Sequence, residues 1–251
     1  MTYTKKIYFA SDFHLGAPNF EASLQREKLI CNWLDMVKKD AEEIYLMGDL
    51  FDFWFEYKHV VPRGFTRFLG KIAELTDAGI PITIFKGNHD MWTFGYLEKE
   101  LGVKVISDEL IIESNGKKIF LHHGDGIGPG DNGYKWVRKF FRSGFAITLF
   151  GFLHPTIGAG FAKYLSKKSR INGGDKDKIY LGDDKEFIVQ YCKALLAKTH
   201  YDYFICGHRH LPLDIKLSEN ARYINLGEWV NYYSYAVFNG TNVELKYFKE
   251  S

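Results

Sequence analysis

Five short polar clusters punctuate the chain: Asp12-Phe13-His14, Gly48-Asp49-Leu50-Phe51-Asp52, Gly87-Asn88-His89-Asp90, His122-His123-Gly124-Asp125 and Gly207-His208-Arg209-His210. Asp, Asn and His offer oxygen and imidazole nitrogen, with no thiolate among them. That donor set suits Mn²⁺, Fe²⁺, Zn²⁺ or Mg²⁺ in mixed coordination. The glycines allow backbone and loop to approach an ion closely. In Asp12-x-His14 and His208-x-His210, residues two apart on an extended segment project the same way, so both members of a pair can reach one metal pair. A single D-x-H arises often by chance. Five such clusters in series form a specific signal for metal-assisted chemistry.

The intervening elements must bring these clusters together. Lys6–Ala10 reads as a short buried strand ending at Ser11-Asp12. Ile30, Trp33, Leu34 and Val37 recur at helical spacing. Residues 44–47 and 80–85 read as further strands, ending at Gly48-Asp49 and Gly87-Asn88, with a helix through Phe65, Phe68, Leu69 and Ile72 between them. This alternation predicts βαβ units and a layered sheet, with ligand groups at the carboxyl ends of strands. Later the pattern turns antiparallel. Asn115-Gly116 and Asn239-Gly240 each sit between strand-like runs, a strong hairpin signal. A helix through Ile188, Tyr191, Leu195 and Leu196 precedes a strand at Tyr203–Cys206.

One segment fits neither pattern. From Tyr134 to Lys168 the chain is aromatic and reads as helical, with a break near His154-Pro155. Trp136, Phe140, Phe141, Phe145, Phe150 and Phe152 cover more than one helix face, which requires partners on several sides. It ends in Lys163, Lys167, Lys168 and Arg170. We read residues 131–176 as a helical cap inserted into a single domain spanning 1–251. An ordinary core helix pair is the alternative, because periodicity does not locate a helix in space.

The ordered set D-x-H, G-D-x-x-D, G-N-H-D, H-G-D and G-H-x-H resembles the calcineurin-like metallophosphoesterases. The resemblance runs through nearly the whole chain. It implies a four-layer αββα sandwich holding two divalent metal ions. By resemblance, Asp12, His14 and His210 are ligands of the first ion, Asp49 is the bridging carboxylate, and Asn88, His123 and His208 are ligands of the second. His122 falls outside the matched positions and reads as a strand residue facing the core. Such a pair of ions activates a water and neutralises the phosphoryl oxygens, so no covalent enzyme nucleophile is required. The family pattern pairs His89 with Asp52 beside the leaving oxygen, as a dyad able to stabilise or protonate it. A loop cap is the other reading of Asp52.

A narrower likeness is to the UDP-2,3-diacylglucosamine diphosphatases of lipid A synthesis. It rests on Gly48-Asp49-Leu50-Phe51-Asp52-Phe53-Trp54, on Asp131 and Tyr134 after H-G-D, and on Leu226-Gly227-Glu228-Trp229. It implies cleavage of a UDP-linked, twice-acylated glucosamine to UMP and the acylated sugar 1-phosphate, with Mn²⁺. Phe141 and Phe145 would then line an acyl groove, and Lys168, Ser169 and Arg170 would meet the diphosphate. A solvated basic helix end is the alternative for those three. One residue departs from the branch: its best-known members have Arg where this chain has His89. A metallophosphoesterase of other specificity, a phosphatase or nucleotide phosphodiesterase, is the runner-up.

Bulk composition narrows the remaining classes. Hydrophobic content is 46% with 25% charged residues, which is ordinary for a globular domain. The 33 basic and 31 acidic residues leave a net charge of +2, too balanced to attract nucleic acid as a partner. Cys31, Cys192 and Cys206 form no C-x-x-C pair and read as buried thiols of a reducing compartment. The N-terminus shows no signal-peptide pattern, and no run of about 18 apolar residues occurs. The expectation is a cytoplasmic protein, peripheral on the inner face of the inner membrane, with a membrane surface as partner because its substrate is drawn from lipid.

Overall fold

The computed structural model describes residues 5–129, 132–161, 164 and 179–248. Its first half runs β1 (Lys6–Ala10), α1 (Phe20–Val37), β2 (Ala41–Leu46), α2 (Thr66–Asp77), β3 (Ile82–Phe85), α3 (Tyr96–Leu101) and β4 (Lys104–Ile106). Then come β5 (Leu110–Ser114), β6 (Lys117–His122), α4 (Asn132–Phe141), α5 (Gly144–Gly151) and a helical stretch over 155–161. The chain continues with α6 (Phe187–Leu196), β7 (Tyr203–Cys206), β8 (Pro212–Ser218), β9 (Ala221–Leu226), β10 (Ser234–Phe238) and β11 (Val243–Tyr247).

The strands form two sheets, ordered β11-β10-β1-β2-β3-β4 and β5-β6-β7-β9-β8. Parallel strands fill the centre of each; antiparallel hairpins supply both edges of the second sheet and one edge of the first, whose other edge is the parallel strand β4. Side-chain alternation decides what each face meets. Ile7 and Phe9 of β1 point at the second sheet, packing with Ile119, Leu121, Ile205 and Ile224. Tyr8 and Ala10 point the other way, onto Ile30, Trp33 and Leu34 of α1. Phe120 and Phe204, on the outer face of the second sheet, pack under Ile188, Val189 and Cys192 of α6. The result is the expected αββα order of four layers.

Asn115 and Gly116 both have positive φ, 49° and 74°, as a two-residue primed turn demands. The short α3 and the three-residue β4 carry too little periodicity to be read from sequence, and the edge strand β8, whose Leu213, Ile215 and Leu217 alternate with polar residues, is a further strand that the sequence reading does not include. The N-terminus of α2 illustrates a long-range cap. Phe65 there has no capping side chain, and Glu27 of α1 instead accepts from Arg67 N at 2.8 Å and Phe68 N at 3.1 Å.

The aromatic segment lies between β6 and α6. Besides the expected break before Pro155, it breaks at Ser143, whose hydroxyl accepts from Ala146 N at 3.3 Å and so starts α5 as an N-cap. Phe141, Ile147 and Phe150 anchor it on Phe55 and Trp92. Trp136, Phe145 and Phe152 are instead 69%, 71% and 85% exposed, where a core helix pair would bury such rings. Among the described residues no helix is long and apolar enough to cross a membrane.

Candidate metal centre

The clusters predicted to do chemistry leave the strands from one end of the sandwich. β1 delivers Asp12 and His14, β2 Asp49, β3 Asn88 and His89, β6 His123, and β7 His208 and His210. Their backbone is not extended. Asp12, His14, Asp49, His208 and His210 all have φ between 44° and 67°. This corrects the parity argument for the D-x-H and H-x-H pairs, since each such residue turns in left-handed backbone. A left-handed conformation costs a non-glycine residue roughly 1–2 kcal/mol. Five of them together rival the net stability of a domain, about 5–15 kcal/mol, so the surroundings must enforce them.

Hydrogen bonds between the loops do so. Asp12 N donates to Gly48 O (3.0 Å), His14 N to Asp49 O (2.9 Å) and Gly207 N to His123 O (2.8 Å). Trp229 N, from the late L-G-E-W run, donates to Asp12 O at 3.1 Å, and His208 N to Asp12 Oδ2 at 3.0 Å. Two residues that the sequence reading left without a role are central here. The buried Asp90 carboxylate takes the N–H groups of Gly87 (2.8 Å), Leu50 (2.7 Å) and Asp49 (3.2 Å), clipping the second and third clusters together. Asn225 is fully buried, and its amide donates to Gly207 O at 2.6 Å while accepting from Gly227 N at 3.1 Å. Asp90 stood in plain view within G-N-H-D. Asn225 lies in a strand and gave no sequence signal.

The side chains converge in two groups that share one carboxylate. Ligand atoms of Asp12, His14, Asp49 and His210 lie within 4.8 Å of one another, and so do those of Asp49, His123 and His208. Asn88 joins the second group, with its Oδ1 3.4 Å from His123 Nε2. His208 and His210 therefore serve different groups. The donor set fits divalent cations. Asp12 Oδ1 and Asp49 Oδ2 are buried and accept no hydrogen bond among the described residues. Asp12 Oδ1 faces His210 Nε2 at 3.2 Å, and Asp49 Oδ2 faces His123 Nε2 at 3.4 Å. A buried carboxylate oxygen left without a hydrogen-bond donor is strongly unfavourable unless a cation meets it.

Electrostatics agree with that fit. Burial opposes charge on His123, yet Asp49, Asp12 and Asp125 outweigh it and push its pKa up to about 10. Burial and His123 push His208 down to about 4, and burial with His210 and His89 holds His14 well below the usual range. His123 Nδ1 donates to Met47 O at 2.7 Å, which aims its Nε2 lone pair at the carboxylates when the ring is neutral.

His89 Nδ1 donates to the main-chain oxygen of Asp52 at 3.0 Å, and the Asp52 carboxylate lies within 4.8 Å of ring nitrogens of His14 and His89. The expected dyad is thus held partly through backbone. His122 is buried, 5% exposed, on the same strand face as Phe120, and accepts from Gly124 N at 2.8 Å; burial lowers its pKa to about 4. Phe141 is partly buried against Trp92, and Phe145 is exposed. Lys168, Ser169 and Arg170 lie outside the described residues.

Comparison with known proteins bears on this arrangement. Residues 5–212 match the family model of the calcineurin-like phosphoesterases. The chain belongs to that family. As a calcineurin-like phosphoesterase it is a hydrolase, and its clustered donors are a divalent-metal site. The UDP-2,3-diacylglucosamine hydrolase of Porphyromonas gingivalis is 40% identical to it over 253 residues, covering 96% of this chain and 97% of the relative. The protein of the same name from a Shewanella species is 27% identical, covering 89% of each chain. Among solved structures, a phosphoesterase from E. coli aligns over 92% of this phosphoesterase and 87% of its own length, at 14% identity and a TM-score of 0.44.

Close approach at Gly87 leads to a first expected outcome. A Cβ there would stand 2.1 Å from Asp49 Oδ1 and 2.4 Å from Asp49 N. Gly87→Ala should lower metal content and hydrolysis together, because the shared carboxylate must move. Metal analysis beside a thermal melt tests this. A folded variant with full metal content would show that the loop tolerates the shift.

Proposed function

We propose that this phosphoesterase hydrolyses the diphosphate of a UDP-linked, twice-acylated glucosamine, yielding UMP and the 2,3-diacylglucosamine 1-phosphate. One P–O bond to the bridging oxygen breaks and one to a water oxygen forms. The observation that carries the reading is an exposed aromatic helical face beside a buried site of phosphoesterase type, in a chain 40% identical to a protein named for this substrate. We assign two ions, Mn²⁺ by choice, one to Asp12, His14 and His210, the other to Asn88, His123 and His208, with Asp49 between them. When bound, such ions supply Lewis acidity and an activated water. His89 donates from Nδ1 to Asp52 O, and we assign its ring the proton held at the leaving oxygen.

In this reading residues 131–176 form a cap. Phe145 and its exposed neighbours take the acyl chains, Phe141 forms the floor beneath them, and Lys168, Ser169 and Arg170 meet the diphosphate. The enzyme works in the cytoplasm, peripheral on the inner face of the inner membrane, where such a substrate is drawn from lipid. His89 in place of arginine favours one other reading, a phosphoesterase of different specificity on the same metal site. Assays on UDP-2,3-diacylglucosamine, p-nitrophenyl phosphate and cyclic nucleotides separate the two. Preference for either small substrate class would reject the lipid reading.

Phe145→Asp offers a sharper test, since an exposed position carries little folding cost. Full burial of such a side chain contributes about 1.5–3 kcal/mol, so kcat/KM for the diacylated substrate should fall roughly 10–100-fold. Hydrolysis of bis(p-nitrophenyl) phosphate, which has no acyl chains, should stay unchanged. Equal loss on both would remove the acyl groove from the account.

A further inference from the structure

We propose that two buried ion pairs clamp the cap onto the ligand loops and position it for the lipid-bearing substrate. The first joins Asp125 to Arg138 and Arg142. The second joins Arg209 to Glu186. The substrate half of this inference rests on the function proposed above; the clamp itself does not.

Asp125 follows His123 by two residues and is 1% exposed. Its Oδ2 accepts from Arg138 Nε, and Arg142 Nη2 lies 3.6 Å away. Arg138 lies on α4 and Arg142 in the turn just past its end, where Arg142 N still donates to Arg138 O at 3.0 Å, so the two side chains project from the same side. Arg142 also donates to Asp108 Oδ1 (3.1 Å) and Ser107 O (3.3 Å), just before β5. Gly126 makes room for the arrangement, since a Cβ there would meet Arg138 Cδ at 2.8 Å.

The second pair holds the other root of the cap. Arg209 stands between His208 and His210, and its guanidinium reaches the segment that returns from the cap. Nε donates to Glu186 Oε2 at 2.8 Å, and Nη2 to Glu186 Oε1 at 3.1 Å and Ile179 O at 2.7 Å. Glu186 is buried at the start of α6. A two-pronged arginine–carboxylate contact fixes orientation as well as distance. Removing one partner of a pair this buried strands the other charge, so the pair resists opening.

Entry and exit of the cap are therefore tied to the loops that carry His123, His208 and His210. With both tied, α4 keeps Tyr134 against His208, their ring centres 6.2 Å apart. Arg138 and Glu186 act through the position of the cap, which makes them positioning residues.

The test uses Arg138→Gln, Glu186→Gln and the double variant of the full-length, Mn²⁺-loaded protein. Amide hydrogen exchange, metal content and kinetics on two substrates are read in parallel. Exchange over 132–151 should quicken in each variant, most in the double, with metal content unchanged. KM for UDP-2,3-diacylglucosamine should rise about tenfold or more, with kcat within about twofold and bis(p-nitrophenyl) phosphate hydrolysis within about twofold. Unchanged exchange over 132–151 overturns the clamp. Faster exchange with equal effects on the two substrates, or none, overturns the positioning role. A wild-type enzyme inactive on the diacylated substrate defeats the proposed function instead, and the exchange result still decides the clamp. If Glu186→Gln lowers the melting temperature too far, Glu186→Asp, which keeps charge and loses reach, replaces it.

Discussion

Asp49→Ala is expected to abolish hydrolysis and to remove more than one equivalent of metal. Asp49 is the one side chain common to both groups of convergent donors. Its two oxygens do different work. Oδ1 accepts from His89 N at 2.8 Å, which locks the carboxylate in place, and Oδ2 stands buried without a donor, 3.4 Å from His123 Nε2. Burial raises the cost of its charge, yet His123 and His89 hold its pKa well below the usual carboxylate range. The group is therefore an anion in the folded protein, placed between two sets of imidazoles. Alanine removes the shared anion, so each donor group must hold its cation with one carboxylate fewer. Elemental analysis of purified protein, beside circular dichroism to confirm folding, measures the effect. Two ions retained at full occupancy would show that Asp49 does not serve both groups.

His89→Ala is expected to separate turnover from metal content. His89 neighbours Asn88 in sequence but holds a different place. Its ring turns toward the Asp52 carbonyl and lies edge-on to His14, the ring centres 5.0 Å apart. General acid assistance is typically worth about 10²–10⁴-fold in rate, and a loss in that range should appear in kcat while both ions stay bound. Asn88→Ala and His123→Ala serve as controls, because both belong to the second donor group and should shed metal. If His89→Ala loses metal as completely as His123→Ala, then His89 is a ligand and the proton role belongs elsewhere. Asp52 supports the ring by its main-chain oxygen. Asp52→Asn keeps that main-chain oxygen and should lower kcat less than His89→Ala.

Much of this centre was legible before any coordinates. Short apolar runs such as Lys6–Ala10 and Tyr203–Cys206 announce buried strands because a parallel strand covered on both faces has no polar side to show. The polar cluster after each run then lands where strand ends converge. Residue type did the rest, since Asp, Asn and His without Cys name a class of ion and a class of chemistry. The two Asn-Gly hairpins were equally plain, because few residues tolerate the positive φ found at Asn115, Gly116 and Gly240. The αββα order followed from these pieces and from the family motifs together.

What tertiary structure alone decided is how the clusters meet. Parity on an extended segment has His208 and His210 project the same way, and the family resemblance divides them between two ions; the fold shows how they come to stand in different donor groups. The reason is left-handed backbone at both residues, a conformation held by contacts from β1 and β9 that no local pattern encodes. Asp90 and Asn225 gained their roles in the same way, by satisfying N–H and C=O groups of loops distant in sequence. The aromatic segment shows the complementary limit. Its composition demanded several apolar partners, and only packing distinguished Phe141, set against Trp92, from Phe145, left at the surface. Burial is a property of the assembled layers, so sequence determined which residues could do the chemistry, and the fold determined which of them stand together.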